Sequence, residues 1–108
     1  MNINYTCIVQ EGIVPDDLRV KLAAEIRRIS ASVLSIAEDG IEVGYYEVRH
    51  GFGFRGGEVS TTSSVGGQLS EPIDQDTRVD LMTQILNMWL AETGCAVDEL
   101  IVSVRDPR

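Results

Sequence analysis

Cysteine and histidine, the residues typical of disulfide-rich proteins and metal sites, are scarce in this 108-residue chain. It has two cysteines, Cys7 and Cys95, which lie far apart and outside any CxxC spacing, and one histidine, His50. We therefore expect no disulfide, no metal site and no cofactor. No apolar run approaches the roughly 20 residues that a membrane span needs, and the first residues lack the pattern of a signal peptide. These features predict a cytoplasmic protein without a membrane partner.

Positive charge is also scarce. The chain has nine Lys and Arg residues and 17 Asp and Glu residues, which gives a net charge of −8, and no basic cluster occurs. Nucleic acid is therefore not expected as a partner, because binding to phosphates requires clustered positive charge. The length allows one domain, 1–108, with a small core that oligomerisation often supports in chains of this size.

The first half of the chain has the pattern strand, helix, strand. Alternating apolar residues predict a strand over residues 3–9, and Pro15 suits the first turn of a helix. We predict that this helix ends at residues 38–40, with Gly40 as its cap, and that a second strand covers residues 41–48. The helix carries an apolar stripe at spacings of three and four: Leu18, Leu22, Ile26, Ile29, Val33 and Ile36.

The second half repeats this order. Residues 58–69 predict a strand. A helix then follows, with Ser70, Asp74 or Asp76 as its cap and Gly94 at its end, and residues 99–105 predict a last strand. Two fused β-α-β units, 1–57 and 58–108, predict an α+β fold with a four-stranded sheet and both helices on one face. The second helix carries the apolar stripe Val79, Met82, Ile85, Leu86 and Trp89. We expect identical copies of the chain to bury the face of the sheet that the helices leave uncovered.

The join between the halves contains a glycine-rich stretch, in which Gly51, Gly53 and Gly56 spell GxGxxG. A dinucleotide-binding loop needs this pattern between a strand and a helix, whereas here it leads into a strand. A single RGG at residues 55–57 is weak support for RNA binding in so acidic a chain. We favour a hairpin, with Phe52 and Phe54 packed across it or against another subunit.

Two segments together resemble the tautomerase superfamily. "EG" at 11–12, a long helix, and then Glu47, Val48 and "GGE" at 56–58 resemble 4-oxalocrotonate tautomerase. "SSVGG" at 63–67 and "DELIVSVRD" at 98–106 resemble the longer members with two β-α-β units, such as macrophage migration inhibitory factor. This resemblance implies a tautomerase/MIF-like fold, a homotrimer, and polar pockets near each amino terminus at the subunit boundary.

The resemblance also implies a chemistry that this sequence lacks in part. In the family, an amino-terminal proline is the general base, and arginines hold the substrate carboxylate. Here Asn2 follows Met1, and we expect Met1 to be retained. Ile13 and Glu42 occupy the positions at which family members carry substrate-binding arginines.

Five residues remain as site candidates. The Met1 amine and the His50 imidazole could transfer protons, while Arg49 and Arg55 could bind a carboxylate and Ser64 could line a pocket. One hypothesis is a divergent isomerase or lyase of small 2-oxo or enol acids that lacks the proline base. The alternative is a catalytically silent member that binds a small metabolite or a protein partner. The residues leave open whether the chain is an enzyme.

Overall fold

The alternating strands of the sequence assemble into one sheet in the computed structural model, which describes residues 1–108. Strand β1 (Ile3–Gln10) pairs in parallel with β2 (Ile41–Val48) and antiparallel with β5 (Ser63–Leu69), and β5 pairs in parallel with β6 (Leu100–Arg105). The sheet order is therefore β2-β1-β5-β6, with β2 and β6 at the edges. This mixed four-stranded sheet confirms the predicted fold class.

Two 19-residue helices cover one face of the sheet. Helix α1 (Asp16–Leu34) connects β1 to β2, and α2 (Gln75–Thr93) connects β5 to β6. Each helix points an apolar stripe at the same side of the strands, where burial of apolar surface stabilises the fold. The fully buried residues at the centre of this core include Ile3, Cys7, Val65, Leu22, Ile26, Leu81, Ile85 and Trp89.

The ends of α1 differ from the prediction. The helix ends at Leu34, because Ser35 adopts a left-handed conformation (φ 54°) and its N–H bonds to the carbonyl of Ala31. Gly40 is therefore not the helix cap, and Glu38–Gly40 forms a separate 3₁₀ turn. Ile36 consequently lies outside the helix.

Helix α2 has the predicted ends but a shifted stripe. Asp74 is the cap among the three candidates, since its carboxylate accepts a hydrogen bond from the N–H of Thr77 at 2.6 Å. Gly94 ends the helix with φ 70°. Val79, predicted to face the core, is exposed, and Leu81 is buried in its place.

The glycine-rich stretch forms the predicted hairpin. Two short strands, β3 (Phe54–Arg55) and β4 (Glu58–Val59), pair antiparallel around Gly56 and Gly57. Both glycines have positive φ, 60° and 83°, which a two-residue turn of type I′ requires. The strand predicted over residues 58–69 is thus divided into β4 and β5. The side chains of Phe52 and Phe54 are exposed and have no core to pack against.

The second face of the sheet has no helix over it. We call this surface the open face. It consists of three rows of residues that run across the four strands in the order β2, β1, β5, β6. One row is charged at its ends, the middle row is small, and the third is largely apolar. The rows are Glu42–Asn4–Gln68–Arg105, Gly44–Thr6–Gly66–Ser103 and Tyr46–Ile8–Ser64–Ile101.

Candidate functional site

The amino terminus is held at one end of the sheet. The Met1 ammonium forms an ion pair with Glu71 Oε2 at 3.2 Å. The N–H of Asn2 donates to Ser70 Oγ at 2.8 Å, and the N–H of Ser70 donates to the carbonyl of Asn2 at 3.0 Å. These bonds extend the pairing of β1 with β5 beyond Ile3 and fix the position of the Met1 amine.

Arg49 and His50 lie at the other end of the sheet, directly after β2. The guanidinium of Arg49 lies 5.1 Å from the centre of the Phe52 ring, a cation–π contact, and forms no ion pair. The backbone N–H of His50 donates to Glu11 Oε1 at 2.9 Å, and its exposed imidazole makes no hydrogen bond within the chain. Both side chains are therefore available to a ligand or a second subunit.

The two ends of the sheet are far apart within one chain. Strand β1 has eight residues and runs parallel to β2, so Met1 precedes one end while Arg49 and His50 follow the other. At about 3.3 Å per residue, the strand separates these groups by more than about 20 Å. A single chain therefore does not bring Met1 into one site with Arg49 and His50.

Arg55 is engaged by acidic residues. Its guanidinium pairs with Glu99 at 2.8 Å and with Asp98 at 3.5 Å. The Glu99 carboxylate also accepts hydrogen bonds from the hydroxyls of Thr61 and Thr62. A groove of about 390 Å³ adjoins these groups. Because more than one carboxylate surrounds the single cation, the surroundings of Arg55 disfavour an anionic ligand.

Ser64 lies on the open face between Ile8 and Ile101. It is half-buried, and its hydroxyl makes no hydrogen bond within the chain. It lines none of the grooves around Arg55. The five candidate residues are thus divided between the two ends and the open face of the sheet.

Sequence reasoning missed Arg105 as a surface group of interest. Its exposed guanidinium ends the charged row of the open face and forms no ion pair in the chain. Glu42 ends the same row on the opposite edge and is equally unpaired. The sequence of β6 does indicate that Arg105 lies on the open face, because Ile101, Ser103 and Arg105 occupy every second position and so share one side of the strand.

The buried ionisable groups have structural roles. Burial raises the pKa of Tyr5 to about 12, and its hydroxyl shares a 2.8 Å hydrogen bond with Ser30 Oγ. Burial likewise raises the pKa of the Cys7 thiol to about 12. Burial also raises the pKa of Tyr45, whose hydroxyl donates to the carbonyl of Arg19 at 2.8 Å. Tyr5 and Cys7 are buried under the helices, whereas the half-buried Tyr45 lines a groove of about 330 Å³ together with Arg19 and Arg27.

Neither a metal cluster nor a membrane helix occurs in the fold. No three His, Cys, Asp or Glu side chains converge as metal ligands. Both cysteines are free thiols, with Cys7 buried and Cys95 half-buried. Neither α1 nor α2 combines the length and the apolar character that crossing a bilayer requires.

Solved structures share this architecture over nearly the whole chain. Native Ps01740 superimposes with a TM-score of 0.92 at 26% identity, covering 96% of this chain and 93% of its own. The Q0 fused 4-OT symmetric trimer gives a TM-score of 0.84 at 14% identity, covering 96% and 85%. Leishmania major MIF2 gives 0.80 at 15% identity, covering 98% and 89%.

The fold is that of the tautomerase superfamily. The structural neighbours confirm the fold that the resemblance of residues 11–12, 47–58, 63–67 and 98–106 implies. No protein-family model and no curated protein matches the sequence. Within the tautomerase fold this chain carries Asn2, Ile13 and Glu42 at the three positions where the resemblance implies a proline and two arginines.

Proposed function

We propose that this protein is a catalytically silent tautomerase-fold protein that binds a small carboxylic acid as a homo-oligomer. The observation that carries the proposal is the ion pair between the Met1 ammonium and Glu71 at 3.2 Å. A general base must lie within hydrogen-bond reach of the substrate proton, and the Met1 nitrogen is instead directed at the Glu71 carboxylate of its own chain. The Asn2–Ser70 hydrogen bonds hold the amine beside this carboxylate.

Arg49 is the best-supported group for binding the carboxylate. Unlike Arg55, it has no acidic partner, and its contact with Phe52 orients the planar guanidinium for a bidentate bond. His50 lies beside it with a free imidazole, which can donate a further hydrogen bond to an anion. Arg49 and His50 therefore form the proposed binding site, and Phe52 supplies an apolar wall.

The oligomer is supported by the open face and by the neighbours. Tyr46, Ile8 and Ile101 expose apolar side chains on one continuous side of the sheet, and such patches commonly mark contacts between subunits. The fused 4-OT neighbours are described as symmetric and asymmetric trimers. We infer a trimer for this chain, in which subunit boundaries border the Arg49 site.

Binding and turnover should be measured together. The wild-type protein should leave the enols of phenylpyruvate and 2-hydroxymuconate unchanged beyond the uncatalysed rate, while small 2-oxo acids bind in calorimetric titrations. Arg49→Gln should weaken this binding roughly tenfold or more, by loss of a bidentate charged hydrogen bond. Arg55→Gln is the matched control and should bind as the wild type does. Equal loss in both variants, or none in either, would exclude the proposed site.

The second candidate function is an isomerase or lyase of small 2-oxo or enol acids with Met1 as the base. Because one chain holds Met1 and the pair Arg49 and His50 at opposite ends of the sheet, this candidate requires an oligomer that places Met1 of one copy beside Arg49 and His50 of another. Turnover of either enol at a rate that Arg49→Gln and His50→Ala both lower would establish this candidate. That result would also overturn the proposal of catalytic silence.

A further inference from the structure

Glu11 bonds to the chain on both sides of Arg49. It follows β1 directly, and its backbone N–H donates to the carbonyl of Val48, the last residue of β2, at 2.8 Å. Its side-chain Oε1 accepts a hydrogen bond from the N–H of His50 at 2.9 Å. Arg49 therefore lies between two residues that the same glutamate holds. Because Glu11 forms no ion pair with the Arg49 guanidinium, it restrains the backbone and leaves the cation free.

The residues after β2 form a tight turn that brings Phe52 back to Arg49. The N–H of Phe52 donates to the carbonyl of Arg49 at 2.9 Å, and Gly51 has φ 83°. The φ of His50 is negative, so only the third residue of the turn is left-handed, which is the pattern of a type II turn. The turn sets the Phe52 ring 5.1 Å from the Arg49 guanidinium.

The core contributes little to holding this turn in place. All four of its residues, 49–52, are exposed. The Glu11 carboxylate is the one side chain that forms a hydrogen bond with their backbone. Exposed segments with few buried contacts open locally at low cost in free energy, so the two Glu11 hydrogen bonds are the main restraint on the turn.

We infer that Glu11 is the positioning residue of the carboxylate site at Arg49. This role rests on the proposed function and deepens it, because it explains how an exposed loop presents its cation in one orientation. A turn that is formed before the ligand arrives lowers the entropy cost of binding, since Arg49 and Phe52 need not be ordered at that moment. Glu11 itself does not touch the ligand and acts through Arg49.

Two effects of Glu11 on an anionic ligand have opposite signs. Its negative charge repels a carboxylate nearby, whereas its hydrogen bonds hold the turn that binds the carboxylate. Glu11→Gln removes the charge and keeps a side-chain oxygen that can accept from the His50 N–H. Glu11→Ala removes both. Positioning therefore predicts weaker binding in the alanine variant alone, while repulsion alone predicts tighter binding in both variants.

Calorimetric titration with pyruvate measures these effects. Glu11→Ala should weaken binding roughly three- to tenfold, by loss of one hydrogen bond that holds the turn. Glu11→Gln should bind at least as tightly as the wild type. Glu58→Ala is the matched control, because Glu58 is an exposed glutamate of the hairpin that makes no hydrogen bond, and it should bind nearly as the wild type does.

Two further variants show whether Glu11 acts through the turn. In the Arg49→Gln background, Glu11→Ala should cost no additional affinity, because the group that it positions is already gone. Gly51→Ala places a side chain at φ 83° and strains the turn while Glu11 keeps its charge. This variant should also weaken pyruvate binding.

Amide hydrogen exchange measures the turn without any ligand. The N–H groups of His50 and Phe52 should exchange several-fold faster in Glu11→Ala than in the wild type, because the first loses its acceptor and the second belongs to the turn that opens. The amides of β1, inside the sheet, should keep their wild-type rates, which separates a local effect from general destabilisation. Glu58→Ala should change neither set.

Failure of this role and failure of the proposed function give different results. A wild-type protein that does not bind pyruvate, or an Arg49→Gln variant that binds it as the wild type does, overturns both. If Arg49 is required but Glu11→Ala binds as tightly as the wild type, or Glu11→Gln loses as much affinity as Glu11→Ala, the role of Glu11 alone is overturned. Weaker binding in Glu11→Ala but not in Glu11→Gln, with faster exchange confined to the turn, establishes it.

Discussion

The hydroxyl of Tyr5, on the central strand β1, shares a 2.8 Å hydrogen bond with Ser30 Oγ on helix α1. Both residues are buried, and this polar contact joins sheet and helix inside the core. Tyr5→Phe leaves the Ser30 hydroxyl without its partner and should lower the free energy of unfolding by about 1–2 kcal/mol.

The corresponding measurement is urea unfolding of Tyr5→Phe, Ser30→Ala and the double variant. The double variant should lose less unfolding free energy than the two single variants lose in sum, because it removes both polar groups and leaves neither without a partner. Ser32→Ala is the control, since Ser32 lies on the exposed side of α1 and its hydroxyl makes no hydrogen bond. Strict additivity would show that the bond contributes nothing.

Alkaline pH should destabilise the fold. Burial raises the pKa of Cys7 from 9.0 to about 12 and that of Tyr5 from 10.0 to about 12. A raised folded-state pKa gives stability that is complete below the unfolded pKa and is lost as pH rises toward the folded one. The urea midpoint should therefore fall progressively above about pH 9, with the first part of the fall due to Cys7. Cys7→Ala should reduce that first part, and a wild-type midpoint that stays constant to about pH 11 would contradict the burial of these groups.

Two adjacent glycines in β5 should respond differently to alanine. A Cβ at Gly67 would lie 2.8 Å from Tyr5 Cε1 and 3.0 Å from Ile3 Cδ1, and the Ser30 bond restrains the Tyr5 ring. Gly67→Ala should cost about 1–3 kcal/mol of unfolding free energy through overpacking. Gly66 is the matched control, since it faces the open side, where the nearest atom outside the backbone is Ser103 Oγ at 3.6 Å. Thermal denaturation that ranks Gly66→Ala as the more damaging change would place the core on the wrong face.

Proline at position 2 should not create tautomerase activity. Asn2→Pro removes the N–H that donates to Ser70 Oγ, and Ile13 and Glu42 still occupy the positions where the resemblance implies arginines. We expect no increase in ketonisation of phenylpyruvate enol, even where mass spectrometry shows that Met1 has been removed. Asn2→Ala keeps the N–H and controls for loss of the side chain. A large gain in the proline variant alone would mean that the rest of a catalytic site is intact.

Local patterns predicted much of this fold. The alternation of Ile3, Tyr5, Cys7 and Val9 predicted β1, and the glycine-rich stretch predicted a hairpin, whose turn the structure places at Gly56 and Gly57. The end of α1 was misplaced because a serine, rather than a glycine, adopts the left-handed conformation at position 35. Residues other than glycine rarely adopt this conformation, so the spacing of the sequence does not predict it at a serine.

The site was less predictable than the fold. Arg49 and Arg55 look equivalent in the sequence, yet Asp98 and Glu99, which pair with Arg55, are more than 40 positions away along the chain. Such long-range neutralisation is visible only after folding. Arg105 was overlooked because its importance depends on Gln68, Asn4 and Glu42, which three different strands bring into its row.

The central claim is that copies of this chain cover the open face of the sheet. Sedimentation equilibrium of the purified wild-type protein tests it most directly. We predict a single species with three times the 11.9 kDa mass of the chain. A species of 11.9 kDa across the accessible concentration range would contradict the claim.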